Sequence, residues 1–462
     1  MSVEELFSYL QLFDNALWNF VGFPAIILFG FYLSYKANFI HLRKLPYVFK
    51  SFFKLLTVRR SESGVHPLKA FFASVGGCFG IGNMVAICTA VQVGGPGALF
   101  WVWIAAIAGM ILKYSEIFLG MRYRVPNDRG GHNGGPMFFL QKVFKSSVVP
   151  KIAALLLCVY GVEIYQFSVM TKSIAYNFEI DSLLISVITL TLIVIVASGG
   201  VKRVGRISSI VIPVFILLYL SMGFWVLWQN AGQLPGVLKT IVTSAFSGHA
   251  AVGGFAGSSF IMAISYGIRR GCYSGDIGIG YASVIHSESC LKTPEKQALL
   301  AIFDVFLDTF VISTTSILLI LVTGTWQQPL PEIVLVQHAL QQYFPYANYF
   351  MPIVLYFLGY TTIIAYFCVG LKCAKHIHRT WGKPIYFTYA IVSMLLFSFV
   401  ESREALLIMS ITGGLLLMIN LYGIFRMRHE ISFDFHEEVN GVVPAISADL
   451  LEQGDSSLVK IS

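Results

Sequence analysis

Residues 74–103 read SVGGCFGIGNMVAICTAVQVGGPGALFWVW, a stretch apolar enough to enter a bilayer that nonetheless carries Gly76, Gly77, Gly80, Gly82 and Asn83. Glycine costs about 1 kcal/mol relative to alanine inside a helix, and an amide in hydrocarbon must find a partner. The stretch therefore reads as a discontinuous membrane helix, of the kind that builds the midplane sites of secondary transporters. Glycines also serve close helix packing, so by itself the segment leaves both readings open.

The composition around it sets the class. Hydrophobic residues make up 56% of the 462 positions and charged residues 12%, with a mean hydropathy of +0.72. Charged residues normally supply about a quarter of a globular sequence, so the chain is expected to be an all-α polytopic membrane protein. At about 20 residues per span it holds about eleven, roughly 16–36, 70–92, 97–121, 150–170, 182–199, 207–228, 237–272, 297–323, 348–371, 384–400 and 405–425. Glu4, Glu5 and Asp14 precede the first in place of a basic n-region, so it reads as a retained helix. The expected organisation is an N-terminal helix with a basic loop (1–69), a transporter core (70–426) and a cytoplasmic tail (427–462).

Lysine and arginine crowd into alternate loops. Arg43 to Lys69, Arg122 to Lys151, Lys202 to Arg206, Lys292 with Lys296, Lys372 to Arg379, and Arg426 with Arg428 fall on one side, which the positive-inside rule makes cytoplasmic. Arg269 and Arg270 read as the cytoplasmic end of the seventh span. An odd number of spans then places the amino terminus outside and the acidic tail inside. The net charge of +8 is a topology signal, and no nucleic-acid partner is implied. The seven cysteines show neither CxxC pairs nor zinc spacing and read as packing residues. With no phosphate loop, nucleophile elbow or metal-ligand pair, nothing points to an enzyme or an ATP-driven pump.

Without the first span, ten remain, five on either side of about residue 230. Each half opens with a glycine-rich helix, the second containing Ala250, Ala251, Val252, Gly253, Gly254, Phe255, Ala256 and Gly257. Paired interruptions in two halves point to a substrate site between them. Because five is odd, the halves would be inverted repeats. A broken helix exposes N–H groups at one end and C=O groups at the other, with about half a unit charge on each. An amino-acid carboxylate suits the former and Na⁺ the latter. Sodium, a hard cation, prefers oxygen, so Thr361, Thr362 and the Leu358 carbonyl are expected to face the carbonyls of Gly76 and Phe79. The alternative is that both threonines only bond back to their own helix.

At this point the residues resemble a known family. GIGNMVAICTAVQVGGPGALFWVWIAAIAGMILKYSEIFLGMRYR followed by GGPMFFL is similar to the alanine/glycine:cation (sodium:alanine) symporters of bacteria and archaea. The likeness continues through GGVKRVG at 199–205, GGFAG at 253–257, GIRRG at 267–271 and FLDT at 306–309, and spans about residues 16–426. It implies a leucine-transporter-type fold with eleven helices, a 5+5 inverted repeat with broken first and sixth core helices, and one extra N-terminal helix. It also implies residence in the cell inner membrane, no cofactor, and uptake of a small neutral amino acid driven by Na⁺. Gly80, Gly82 and Asn83 then fall on the substrate-binding break, with Gly253, Gly254 and Phe255 opposite. Gln166 is close to the polar position of the third core helix, and Thr361 and Thr362 match the hydroxyl pair of a sodium site. YSGDIGIGY at 273–281 departs from the family's FSNEAGLGS, and VEIYQF at 162–167 from its third-helix pattern, which leaves substrate and coupling ion open.

Charged residues inside spans are costly and are usually paired, protonated or functional. Lys113 and Glu116, three apart on one helix, read as a structural pair. Glu163 lies on the third core helix, where a buried carboxylate either carries a coupling proton, answers the substrate ammonium, or pairs with an unidentified partner. The competing functions are a proton-coupled symporter of the same fold and a non-transporting amino-acid sensor signalling through the tail.

Overall fold

The computed structural model describes residues 3–56, 64–127, 130–247 and 260–435. Helix α1 (Val3–Ala16), a π-helical segment (Leu17–Gly22) and α2 (Phe23–Lys36) form one rod, followed by short α3 (Ile40–Arg43) and α4 (Leu45–Leu55). Next come α5 (Pro67–Cys78), a π-helical turn (Gly82–Ala86), α6 (Cys88–Gly94) and α7 (Ala98–Arg122). A two-stranded hairpin, β1 (Val125–Pro126) and β2 (His132–Asn133), leads through α8 (Pro136–Val143) to α9 (Val148–Tyr160), α10 (Ile164–Phe178), α11 (Ser182–Ala197) and α12 (Gly200–Gln229). The second half holds α13 (Leu234–Ser247), α14 (Phe260–Gly275), α15 (Tyr281–His286), α16 (Pro294–Val305), a π-helical segment (Phe306–Ser313) and α17 (Thr314–Val322). It closes with α18 (Leu335–Gln341), α19 (Ala347–Ile377), α20 (Gly382–Phe399) and α21 (Ser402–Arg426).

Local signals fix several of these boundaries. His66 accepts from Leu68 N–H ahead of Pro67 at the start of α5, and the Asp181 carboxylate accepts from Leu184 N–H at 2.8 Å to open α11. Among the described residues, eight helices are long and apolar enough to cross a membrane, and α5 with α6, bent by 42°, makes nine. The other two of the eleven expected spans fall on α11, a 16-residue apolar helix, and on 237–272, where residues 248–259 are not described.

Helix α7 is the axis of the bundle, packed by α2, α14, α15 and α16, while α5 lies against α12 and α10 against α19. The outer faces of α11 and α12 leave Val187, Ile195, Ile210, Leu217 and Trp228 exposed. An apolar exterior of this extent belongs in lipid. The protein is a multi-pass membrane protein.

Candidate functional site

Helix α5 stops where Phe79 leaves the helical region (φ −80°, ψ 83°), and the chain resumes in the π-helical turn from Gly82. The freed N–H groups are taken by side chains: Gly80 N–H donates to Asn83 Oδ1 at 3.1 Å and Ile81 N–H to Gln166 Oε1 at 3.2 Å. A Cβ on Gly80 would lie 2.4 Å from Thr362 Oγ1 and 3.0 Å from Gln166 Oε1. Gly80, Asn83, Gln166 and Thr362 are thus brought together as the sequence suggests. Gly76 joins through its backbone alone, since its side-chain position faces Ser208 and Ile212 of α12. Thr361 and Thr362 both donate to the Leu358 carbonyl, at 2.8 and 3.0 Å. Their back-bonding is therefore real, and it gathers three oxygens beside the break.

Gly253, Gly254 and Phe255 lie outside the described residues. Among the described residues, the interruption that meets the first one is 276–280, between α14 and α15, where Asp276 (φ +50°), Gly278 (+71°) and Gly280 (+103°) all adopt positive φ. A Cβ on Gly82 would sit 3.5 Å from Ser274 Cα, so α14 ends level with the first break. Beyond it, α15 runs beside α5, with Tyr281 OH donating to Ala73 O at 2.9 Å and its ring stacked on Tyr366 at 3.8 Å. A side chain on Gly77 would strike Tyr281, so only glycine admits that ring. Two carboxylates cap α15: Glu116 accepts from the N–H groups of Gly280 and Ser283, and Asp276 from that of Ala282. Asp276 also accepts from Tyr366 OH at 3.0 Å.

Glu116 is thus no partner of Lys113. The Lys113 ammonium pairs with Asp304 at 2.7 Å, because three residues along α7 the side chains turn to different neighbours: α16 for Lys113, α15 for Glu116. Nor do Arg269 and Arg270 mark the basic end of a span. Arg269 pairs with Asp14 at 2.6 Å, 22 positions before Lys36 in the first rod, or about 33 Å at 1.5 Å per residue. Arg270 Nε donates to Thr89 Oγ1 on α6 at 2.8 Å. Both arginines stand on the far side of the break from the basic loops.

The third core helix is itself interrupted between α9 and α10, where Glu163 takes φ +51°. Non-glycine residues in that region are strained and cluster at working sites. Glu163 is fully buried and accepts from Tyr273 OH at 3.2 Å.

A residue the sequence reading left out of the site stands between the breaks. Asp308, fully buried in the π-helical segment, accepts from Asn83 Nδ2 at 2.5 Å on Oδ1, and on Oδ2 from Thr309 at 3.0 Å and Ser274 at 3.3 Å. Ser313 Oγ accepts from the same Asn83 amide at 3.0 Å. The signal was an aspartate inside an otherwise apolar span, one turn past Asp304 and within the FLDT element.

The broken first helix, its partner at 276–280 and the polar floor between them agree with a match over residues 3–437 to the model of the sodium:alanine symporter family. The chain belongs to that family. A Haemophilus influenzae relative described as an uncharacterized transporter is 29% identical over 93% of this chain and 95% of its own. The sodium/alanine symporter AgcS of Methanococcus maripaludis is 29% identical over 80% of this chain and 84% of its own. The probable sodium/glutamine symporter GlnT of Bacillus subtilis is 29% identical over 90% and 87%. Among solved structures, MhsT in complex with L-phenylalanine superposes with a TM-score of 0.55 at 14% identity, covering 77% of this chain and 89% of its own. That likeness gives the fold, the leucine-transporter type. As a family member the chain is a transporter and not an enzyme, and the paired breaks occupy the core of that fold.

Proposed function

We propose that the chain is a sodium-coupled symporter that takes up a small neutral amino acid, alanine or glycine, with its amino terminus outside and its carboxyl terminus in the cytoplasm. The observation that carries this reading is the setting of Asp308. Among the described residues this buried carboxylate is bonded by an amide N–H and two hydroxyls and by no lysine, arginine or histidine, so its negative charge has no cation in contact with it. A hard monovalent cation supplies what this cage of amide and hydroxyls lacks. The Leu358 carbonyl with Thr361 and Thr362 makes a second oxygen cluster, which the carbonyls of Gly76 and Phe79 would complete as a further sodium site. Substrate would lie against Gly80, Gly82, Asn83 and Gln166, with Gly253, Gly254 and Phe255 contributing from the second half. Alternating access then rocks the half-helices around this fixed centre.

Proton coupling through Glu163 is a second reading, favoured by its burial with a tyrosine hydroxyl and, among the described residues, no basic partner. Uptake of radiolabelled alanine and glycine into proteoliposomes under imposed Na⁺ or proton gradients separates the two. Uptake that follows Na⁺ is the expected result; uptake driven by protons without Na⁺ would overturn the leading reading.

A further inference from the structure

Two neighbouring arginines on α14 have opposite surroundings. Arg269 is neutralised by Asp14. Arg270 is 8% exposed, yet its Nη1 meets no acceptor and none of the described carboxylates pairs with it. Tyr165, fully buried in the first turn of α10, also has a hydroxyl without a partner. That hydroxyl lies within electrostatic range of both Glu332 and Arg270, and its ring meets the Tyr273 ring edge-on at 6.2 Å. An unsatisfied buried donor is destabilising, and more so when charged. A ligand that brings an anionic group removes both penalties at once.

The position suits a substrate. Arg270 stands one helical turn before Ser274 on the same face, and its anchor Thr89 stands on the half-helix that follows the first break. At that break the N–H groups of Gly80 and Ile81 are already engaged by Asn83 and Gln166. A carboxylate entering from the Arg270 side therefore finds its open donors on side chains and not on the helix end.

We propose that Arg270 and Tyr165 form the carboxylate-binding end of the site, donating from Nη1 and Oη to the two carboxylate oxygens of the substrate. This rests on the symporter reading and adds that a carboxylate is required for binding.

Two readouts on the full chain keep the inference and the reading apart. Sodium-driven uptake of alanine and glycine by proteoliposomes reports transport. Thermal stabilisation of the detergent-solubilised protein by alanine, glycine, glutamine, propionate and ethylamine reports carboxylate binding without transport. The carboxylates should stabilise the native protein and ethylamine should not. Arg270→Gln should weaken the apparent affinity for the carboxylates by about 10- to 100-fold, and Tyr165→Phe by roughly 3- to 10-fold. Stabilisation by Na⁺ alone should persist in both. Native affinity in Arg270→Gln, equal stabilisation by ethylamine, or no response to any carboxylate would overturn the proposal. Should Arg270→Gln not yield folded protein, Arg270→Lys and Tyr165→Phe decide: unchanged affinity in both overturns it. Carboxylate binding without sodium-driven uptake would sustain this site and overturn the symport reading alone.

Discussion

Lys113 and Asp304 meet at 2.7 Å with both side chains fully buried, although 191 positions separate them. The same ammonium donates to the Gly275 carbonyl at 2.8 Å and lies 3.2 Å from Cys78 Sγ. One cation thus touches the last residue of α5 and the last residue of α14, the carboxyl ends of two half-helices, where the aligned peptide dipoles favour positive charge.

Removing that cation strands an acid. Lys113→Met should destabilise the protein by about 3–5 kcal/mol, the cost of breaking a buried pair from one side. The double variant Lys113→Met with Asp304→Leu should recover most of the loss. Thermal unfolding in detergent is the measurement, and a single variant as stable as the native protein would refute the pairing's importance.

Gly80 has no room for a methyl group, since Thr362 Oγ1 would lie 2.4 Å from it. Gly80→Ala should reduce sodium-driven uptake by at least about tenfold, because side chains positioned around the break must shift. Gly232→Ala is the matched control, with nothing within 4 Å of the added methyl. Equal uptake in the two variants would show the break to be a packing feature.

The two oxygen clusters are separable by sodium dependence. Asp308→Asn removes the formal charge from its cage and should raise the half-maximal Na⁺ concentration by at least about tenfold. Thr361→Val with Thr362→Val keeps shape while deleting two oxygens, and should raise it by roughly 3- to 10-fold. A well-expressed variant with native sodium dependence removes its cluster from the coupling scheme.

Glu163→Gln keeps size and hydrogen bonding while removing the titratable group. Under sodium coupling, sodium-driven uptake should persist in this variant. Under proton coupling, uptake measured with a pH gradient and no sodium should be present in the native protein and absent from the variant.

Most of the helices were legible because each is a long apolar run, and the first break was legible because glycines cluster within one such run. The interruption at 276–280 was harder to read. Glycine runs at 253–254 drew attention, whereas the described interruption at 276–280 spaces its glycines singly and places Asp276 in a left-handed conformation that composition does not advertise. Charge rules failed for a related reason. Proximity along one helix offered Lys113 a partner in Glu116, but tertiary packing supplied Asp304 from another helix. The rule that counts arginine as a loop residue could not see that Asp14 neutralises Arg269 inside the bundle. Asp308 was visible as an intramembrane acid; its neighbours, from three separate segments, were not.

The first rod is bolted to the rest by polar bonds. Asp14 holds Arg269 on α14 and accepts from Ser410 Oγ on α21 at 2.7 Å, while Trp18 Nε1 donates to the Ser410 carbonyl at 3.3 Å. Neither charge of the ion pair is tolerable alone at that depth. The two positions should therefore be inherited as a unit: in any lineage where residue 14 becomes neutral, residue 269 should have lost its charge as well, and a lineage that sheds the rod should carry no arginine there.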